Sequence, residues 1–331
     1  MTFLRYVLWG AALAAVLCIL GVALLWAAIY RDRSHPAVER RIVVQRGVTF
    51  DEVARELAEE GVISNVWTFR LLARMRAEEA DVRAGEYQFK PHATQNEVLE
   101  ALVTGGAQVA AWVTIPEGFT AAQIAARLQQ AGVGPAAGFL AAFLSQRVVV
   151  DGTPTKNLEG FLFPSTYLVP FGSAPDQAAS QFTAEFFKEL PADAAGRARA
   201  LGVSVPEAVT VASLVEREAK SQADRPLIAG VVYNRLRLKM PLQVDAAIEY
   251  ALPAHKSELS FGDLQIDSPY NTYLRAGLPP TPIANPGLAS LEAALHPSKN
   301  DYLYYVYCGN GRHVFAATLA QHQANVARCL Q

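Results

Sequence analysis

The glutamate Glu218 stands where the helical pattern of its segment calls for an apolar side chain. We expect a helix to begin near Pro206–Glu207, since proline suits a first turn. On that helix Val211, Leu214 and Val215 form an apolar stripe, and Glu218 continues it on the same face. An ionised carboxylate buried without partners is costly, so such a group is either paired or protonated, with a raised pKa. A raised pKa suits a general acid near neutral pH, which makes Glu218 a candidate acid.

Periodicity alone also allows a purely structural role for this residue. Glu218 could mark the end of its helix, or pair with Arg217 or Arg225. Glu216 points away from the stripe, and we predict that it is a surface residue. The pattern therefore favours Glu218 over Glu216 as the reactive group and leaves the structural alternative open.

A second group of polar side chains lies in loops rich in proline and glycine. These loops follow the segment 234–236 and hold amide, acid and phenol side chains in the segments 243–245, 268–273 and 277–287. Such groups hydrogen-bond the hydroxyl and acetamido groups of sugars, while aromatic rings stack on sugar faces. The loops thus suit a carbohydrate groove, although a stretch of this kind taken alone is more often an ordered loop without a ligand.

The sequence offers no signature of metal, nucleophilic or nucleic-acid chemistry. His296, His313 and His322 are widely spaced and match no H-E-x-x-H pattern, and the cysteines match no zinc spacing. No G-x-S-x-G segment supports a serine hydrolase. The net charge of −2 and the scattered Lys and Arg provide no basic stripe for nucleic acid. We therefore expect no metal, no cofactor and no nucleic-acid partner.

The elements that must position these residues predict a mixed α+β domain. We expect helix over Pro135–Val150, loop or strand over Asn157–Tyr167, mainly helix from Pro206 to about Leu238, and loops through Gly287. A helix around Leu288–Leu295, a strand pair near Tyr302–Tyr307 and His313–Ala316, and a last helix from about Leu319 complete the pattern.

Cys308 and Cys329 could pair in an oxidising compartment, although their sequence positions do not show that they are close.

An internal repeat precedes this region. The segments 43–62 and 113–133 share Gly, Thr, an apolar–Ala pair, Leu and Gly at a constant offset, which predicts a strand, a capped helix and a glycine stop in each. Capping boxes are expected at Thr49 with Glu52, Thr94 with Glu97 and Thr120 with Gln123. Residues 42–106 therefore predict a βααβ-type unit with a strand near Ala84–Phe89. LysM-like domains, which bind N-acetylglucosamine-containing glycans, have this layout; a simple spacer is the alternative.

The N-terminus predicts a membrane anchor. Residues 6–30 carry no charge and are long enough to cross a hydrocarbon core of roughly 30 Å, with aromatic residues near both ends. A cleaved signal peptide has a shorter apolar region and a small-residue cleavage site, which is missing here, and Leu17 argues against lipidation of Cys18. We expect a short N-terminal segment (1–5), a span (6–30) and a polar linker (31–41).

The charges around this span bear on its orientation. Arg5 precedes the span, whereas Arg31, Arg33, Arg40 and Arg41 follow it. The positive-inside rule alone would therefore keep the larger part of the chain in the cytoplasm.

Taken in order, the motifs resemble the YceG-like (MltG) family of endolytic murein transglycosylases. The resemblance rests on Ala212–Glu218, Asn234–Leu236, Leu242–Asp245, Tyr270–Tyr273, Gly277–Pro280 and Pro282–Gly287, with Leu158–Gly160, Phe163–Pro164, Thr166–Tyr167, His296–Pro297, Tyr302–Val306 and His313–Phe315. It covers nearly the whole chain. Ser165, where many members carry an acid, and Cys308 are small departures that do not touch the glutamate motif.

The resemblance implies a transmembrane helix, a LysM-like module (42–106) and a catalytic domain (107–331). It implies Glu218 as the catalytic acid/base, acting on peptidoglycan glycan strands to leave 1,6-anhydro-N-acetylmuramic acid ends. The candidate substrate-binding residues are Gln243, Asp245, Tyr270, Asn271, Tyr273 and Asn285. It also implies a single span in the inner membrane with the catalytic domain in the periplasm, against the charge bias, and the cell-wall synthesis machinery as a further candidate partner. Two alternatives remain: a muramidase that uses water with Asp245 as second carboxylate, and a non-catalytic, membrane-tethered glycan-binding scaffold.

Overall fold

The computed structural model describes residues 2–31, 39–253, 256, 259–309 and 311–329. The chain divides into two units, Met1–Trp112 with Leu168–Phe171, and Val113–Tyr167 with Gly172–Gln331. Most of the predicted linker over 31–41, and Met1 of the predicted N-terminal segment, lie outside the described residues.

The first helix, α1 (Thr2–Tyr30), begins before the predicted span. Its part Trp9–Tyr30 has a mean hydropathy of 2.7 and is long and apolar enough to cross a membrane. At 1.5 Å per residue this part measures about 33 Å, which matches a hydrocarbon core of roughly 30 Å. Membrane anchors and signal sequences share this composition.

The small module that follows α1 has the predicted element order. Its elements are β1 (Arg40–Val44), α2 (Phe50–Glu59), α3 (Val66–Arg76), β2 (Gly85–Phe89), α4 (Gln95–Thr104) and β3 (Gln108–Thr114). Strands β1 and β2 pair antiparallel from Arg40 opposite Phe89 to Val44 opposite Gly85. Thr49 with Glu52 and Thr94 with Glu97 form the expected capping boxes, which confirms both helix starts. Fully buried aromatic and aliphatic side chains fill the core, among them Leu57, Phe69, Tyr87, Leu99 and Leu102.

The second unit is mainly helical, with short strands. Its elements are α5 (Ala121–Gln130), α6 (Ala136–Ser145), β4 (Val149–Val150), β5 (Thr153–Pro154), β6 (Thr166–Pro170), α7 (Pro175–Glu189), α8 (Ala194–Ala200), α9 (Val205–Glu218), α10 (Arg225–Arg237), α11 (Asp245–Ala251), α12 (Leu288–Leu295), β7 (Tyr304–Tyr307), β8 (His313–Ala316) and α13 (Leu319–Cys329). Residues 168–170 of β6 belong to the first unit, whose sheet has the order β1-β2-β3-β6. The α+β class and an N-terminal apolar helix are therefore confirmed.

Helix α9 runs through the core of the second unit. Pro206 occupies its first turn, as the sequence predicted, and Ser204 caps it in a box with Glu207 that was not among the predicted ones. Its residues from Ala208 to Val215 are all buried, and it packs against α10 and α12. Burial of this kind fixes the helix, so its last residue, Glu218, is held in one place.

One helix was missed in the stretch predicted as loops up to Gly287. Helix α11 begins at Asp245 and ends at Ala251, with Ala246, Ala247 and Ile248 buried. It spans seven residues, too few for two turns of apolar periodicity to stand out in the sequence.

A disulfide joins Cys308 to Cys329. Cys308 follows β7 in the β7–β8 hairpin, and Cys329 ends α13. The pairing that the sequence left open is therefore present, and it fastens the last helix to the hairpin.

Candidate active site

Glu218 lies on the wall of a cleft of about 750 Å³, hereafter the Glu218 cleft. The other lining residues come from α9, α10, α11, α13, the hairpin and the loops that follow α9, precede α11 and follow α11: Arg217, Lys220, Arg235, Leu242, Gln243, Asp245, Ala246, Glu249, Tyr273, Tyr304, Tyr305, Val306, Tyr307, His313, Leu319, His322 and Val326. The carboxyl group of Glu218 is thus both held by a buried helix and accessible from a cleft.

The surroundings of Glu218 favour its protonated form. Burial away from bulk water is the largest cause and raises its pKa to about 7, aided by the negative charges of Asp245 and Glu249. The hydroxyl of Tyr305 donates to Oε2 at 3.1 Å and opposes that rise, as does the charge of Lys220. Glu218 also ends its helix, where the carbonyl end of the helix dipole disfavours a negative charge.

The structural alternative for Glu218 does not hold in its ion-pair form. Arg217 pairs with Glu249 at 3.1 Å, and Arg225 pairs with Glu216 at 3.3 Å. Both arginines that could have neutralised Glu218 are therefore engaged with other carboxylates.

The prediction of Glu216 as a surface residue is wrong. Its side chain is only 7% exposed and accepts the backbone N–H of Gly287 at 3.1 Å, besides its ion pair with Arg225. Glu216 therefore ties α9 to the start of both α10 and α12. Helical periodicity predicts the apolar stripe of α9 that packs in the core. It does not predict that the loop at Gly287 covers the face of α9 on which Glu216 lies.

Tyr305 packs against a buried pair, His313 and Asp224, that the sequence did not predict. Its ring meets that of His313 edge-on, with centroids 5.5 Å apart. Oδ2 of Asp224 accepts the backbone N–H of His313 at 2.9 Å and lies 2.9 Å from its Nδ1. Burial alone would raise the pKa of Asp224, but its hydrogen bonds, chiefly from His313, outweigh that effect and lower it. The tyrosine-rich strand was the signal available in the sequence.

Two residues of the Asn234–Arg235 motif hold the hairpin against the loop before α11. Nδ2 of Asn234 donates to the carbonyl of Tyr302 at 3.0 Å. The guanidinium of Arg235 donates to the carbonyls of Leu303, at 2.6 Å, and Leu242, at 2.8 Å. These contacts place Tyr305 and the loop on facing sides of the cleft.

Three of the predicted substrate-binding residues line the Glu218 cleft. Gln243 has a φ of +53°, a conformation that costs energy outside glycine, and its N–H donates to the carbonyl of Thr272 at 3.0 Å. Asp245 opens α11 and accepts the hydroxyl of Tyr273. Gln243, Asp245 and Tyr273 therefore meet around the cleft that holds Glu218.

The other three predicted residues do not line that cleft. Asn271 is 1% exposed, and its amide nitrogen donates to the carbonyls of Leu264 and Ile266. The hydroxyl of Tyr270 is hydrogen-bonded to Thr281 at 2.7 Å. Both side chains fit the support of loops rather than contact with a ligand.

Asn285 is fully buried and joins two segments of the resemblance. Its Oδ1 accepts the N–H groups of Gly160 and Leu162 at 2.9 Å each, and its Nδ2 donates to Glu159 at 2.9 Å. Gly160 has a φ of +90°, and a Cβ there would lie 2.4 Å from Cγ of Pro282. Asn285 thus holds a loop that only glycine permits.

Glu159 carries a second buried carboxyl group, for which the sequence predicts no role. It is 1% exposed and accepts hydrogen bonds from the N–H of Ala121, the amide of Asn285 and the hydroxyl of Tyr250. Burial raises its pKa to about 7, against those hydrogen bonds. With its oxygens engaged by those donors, Glu159 organises the interior beside a different cavity from the one that Glu218 lines.

Comparison with known proteins gives consistent results. The YceG-like family model matches residues 42–328. A Bacillus subtilis protein named endolytic murein transglycosylase is 36% identical over 299 residues, which cover 85% of this chain and 82% of that protein. A Streptococcus pneumoniae protein of the same name is 32% identical over 316 residues, covering 86% of this chain but 57% of its own length. The crystal structure of a yceG-like protein from Listeria monocytogenes aligns with a TM-score of 0.63 at 31% identity, covering 86% of this chain and 98% of that chain.

Proposed function

This chain belongs to the YceG-like family, and we propose that it is an endolytic lytic transglycosylase that cuts peptidoglycan glycan strands with Glu218 as acid/base. The observation that carries this proposal is that the carboxyl group of Glu218 has a pKa of about 7 and lies on the wall of the Glu218 cleft. The names of the Bacillus and Streptococcus relatives support the same activity.

One carboxyl group is enough for this reaction because no water is consumed. Protonated Glu218 donates its proton to the oxygen between N-acetylmuramic acid and N-acetylglucosamine, and the bond from that oxygen to the muramoyl anomeric carbon breaks. The C6 hydroxyl oxygen of the same muramoyl unit bonds to the anomeric carbon through an oxocarbenium-like transition state. Its proton passes to the Glu218 carboxylate, which restores the acid. The products are a 1,6-anhydromuramoyl end and a new N-acetylglucosamine end.

The neighbouring side chains have supporting roles in this scheme. Gln243 and Tyr273 offer an amide and a phenol to the acetamido and hydroxyl groups of the sugars. Tyr305 holds the Glu218 carboxylate during the step in which it carries charge. Asn271, Tyr270 and Asn285 support the loops.

The rest of the chain suits a wall enzyme of the cell envelope. We propose that α1 is an uncleaved single span in the inner membrane and that the catalytic unit faces the periplasm, where the glycan is. The module of residues 42–106 is proposed as a LysM-like glycan-binding domain, and the cell-wall synthesis machinery as a partner. A reporter fused to the C-terminus tests this orientation. A reporter that is active only when it lies in the cytoplasm should be inactive, and its activity would contradict the proposed orientation.

A muramidase is the second candidate, because Asp245 is close enough to Glu218 to raise its pKa. A hydrolase of this kind usually needs two carboxylates, and Asp245 could be the second. It adds water, so its reducing ends are heavier than anhydro ends by one water molecule.

The deciding experiment digests purified glycan strands with the full-length protein and analyses the ends by mass spectrometry. Anhydro ends are expected from the parent and from the control variant Glu185→Gln. This control removes one partner of the ion pair between Glu185 and Lys188 on α7. Glu218→Gln should release none. Reducing ends would favour the muramidase, and full activity of Glu218→Gln would favour another catalytic residue. Absence of cleavage by every protein, with glycan binding retained, would favour the non-catalytic scaffold.

A further inference from the structure

A second cavity opens beside the Glu218 cleft. It has a volume of about 470 Å³, is hereafter the Tyr250 cavity, and shares Arg217, Ala246 and Glu249 with the Glu218 cleft. The ion pair of Arg217 and Glu249, 3.1 Å long, stands at this shared boundary. Both side chains are partly exposed there, so the two hollows meet across one bridge of side chains.

The lining of the Tyr250 cavity mixes apolar and polar groups. Leu140, Leu144 and Leu252 contribute apolar surface, and Leu144 is 46% exposed although it is aliphatic. Thr120 and Gln123 border the same cavity from the start of α5. Sugar rings present C–H faces and hydroxyl edges together, and an apolar wall next to polar side chains fits both.

The floor of this cavity is rigid. The hydroxyl of Tyr250 donates to the buried carboxyl of Glu159 at 3.1 Å, and the ring of Tyr250 packs against Tyr270 with centroids 5.0 Å apart. Glu159 also accepts the N–H of Ala121 at the start of α5. Tyr250 is therefore held at both its hydroxyl and its ring before any ligand arrives.

We propose that the Tyr250 cavity binds further sugar units of the same glycan strand, so that the two hollows form one groove across the Arg217–Glu249 bridge. This inference rests on the proposed function. An enzyme that cuts inside a strand must hold sugars on both sides of the cut, and a groove that continues past the acid allows this. The binding energy of sugars remote from the cut then contributes to holding the reacting bond in place.

A bulky side chain at Ala122 tests the proposal. Ala122 is exposed, lies in the first turn of α5 and lines the Tyr250 cavity but not the Glu218 cleft. Ala126, exposed on the same helix and outside the lining of both, provides the matched control. The variants Ala122→Trp and Ala126→Trp are compared in the full-length protein, with thermal unfolding as a check that both fold.

The first readout is cleavage of long glycan strands from which the peptides have been removed. Ala122→Trp should raise KM about tenfold, the equivalent of roughly 1.4 kcal/mol of binding, with kcat nearly unchanged. Ala126→Trp should match the parent. An unchanged KM for Ala122→Trp, while the parent releases anhydro ends, overturns the groove and leaves the proposed function intact.

The second readout does not depend on turnover. Peptide-free strands should cosediment with the Glu218→Gln variant. The double variant that carries both Glu218→Gln and Ala122→Trp should bind these strands about tenfold more weakly. A loss seen only with peptide-bearing strands would overturn the proposal in favour of a site for the stem peptide. If the parent cleaves nothing, yet Ala122→Trp still weakens strand binding, the groove stands and the proposed activity fails.

Discussion

The hydroxyl of Tyr305 donates a 3.1 Å hydrogen bond to Oε2 of Glu218 across 87 residues of sequence. Two influences therefore meet on one carboxyl group. Burial favours the protonated acid, and the tyrosine favours the carboxylate. In the proposed acid/base role Glu218 first gives and then takes back a proton, which needs both forms within reach, and this pair sets the balance between them.

We expect Tyr305→Phe to slow cleavage and to move its pH dependence. Loss of a hydrogen bond to a charged group costs roughly 1.5–3 kcal/mol, which predicts a decrease in kcat of about ten- to a hundredfold. Without the donor the pKa of Glu218 rises further, so the alkaline limb of the pH–rate profile should move to higher pH. The measurement is the initial rate of anhydro-end release between pH 5 and 9, a range of about two pH units on either side of the parent's pKa.

Tyr307→Phe is the control for that change. Tyr307 lies on the same strand and lines the same cleft, but its hydroxyl accepts the N–H of Gly311. A purely structural role for Tyr305 would lower the rate without moving the limb, and that outcome contradicts the positioning role.

The parent enzyme should lose activity as the pH rises through about 7. The raised pKa of Glu218 keeps the group protonated below that value, and ionisation above it removes the proposed general acid. The profile of kcat/KM should therefore fall on the alkaline side with a midpoint near 7. A midpoint near 4.5, the ordinary value for a glutamate, would show that the cleft does not perturb the reacting group.

Glu216→Gln should unfold more easily than the parent, although Glu216 lies only two residues from the candidate acid. Its side chain and that of Arg225 are 7% and 14% exposed, and removing one partner of a buried pair costs about 3–5 kcal/mol. The measurement is the free energy of unfolding by denaturant. The surface pair of Glu185 and Lys188 offers the control, since Glu185→Gln should leave stability unchanged within error. Equal effects of the two variants would show that Glu216 is not a structural anchor.

The two glutamates of this motif show what the sequence could and could not predict. The stripe of Val211, Leu214 and Val215 singled out Glu218, because the core side of α9 follows simple periodicity. The burial of Glu216 depends on the loop at Gly287, 71 residues away, which lies against α9. The residue pattern within one helix cannot predict a contact with so distant a loop. The hydrogen bond from Tyr305 to Glu218 was not predicted for the same reason, since the two residues are 87 positions apart.

Local signals predicted local structure well and loop roles poorly. All three capping boxes, including Thr120 with Gln123, are present because each is closed by residues three apart. Asn271 and Asn285, which the resemblance implies as substrate-binding residues, carry amides that suit a sugar, but amides also satisfy buried backbone groups. Which of the two uses applies depends on burial, and burial in loops is set by distant packing.

Breaking the disulfide should weaken both the fold and the cleft. Cys308 and Cys329 close a loop with a sequence separation of 21, and a cross-link over such a loop contributes about 3 kcal/mol. Helix α13 also supplies His322 and Val326 to the Glu218 cleft, so loosening it should raise KM. We expect Cys329→Ser to melt at lower temperature and to be unaffected by reductant. Cys18→Ser, at the free cysteine of α1, should behave as the parent, and equal melting of all three proteins would show that the bond does not support the fold.

The buried carboxyl of Glu159 should make stability fall as the pH rises. Its pKa is raised from 4.5 to about 7 in the folded protein, so the folded state holds the proton more tightly than the unfolded chain does. Below about pH 4.5 Glu159 is protonated in both states and does not lower the free energy of unfolding. Between pH 4.5 and 7 the free energy of unfolding decreases, and above pH 7 the decrease due to Glu159 is complete, on the order of 3 kcal/mol. Glu218 adds a loss of the same sign in the same window, so each must be removed separately.

Glu159→Gln isolates the contribution of this group. The amide oxygen can keep the donors Ala121 and Asn285, and the amide nitrogen can donate to the hydroxyl of Tyr250, which then turns to accept. Denaturant unfolding at several pH values between 4.5 and 8 should show a shallower decline for Glu159→Gln than for the parent, and Glu218→Gln should also flatten the curve. Since the glutamine cannot ionise, a decline as steep as the parent's would mean that Glu159 is already ionised in the folded protein throughout that range.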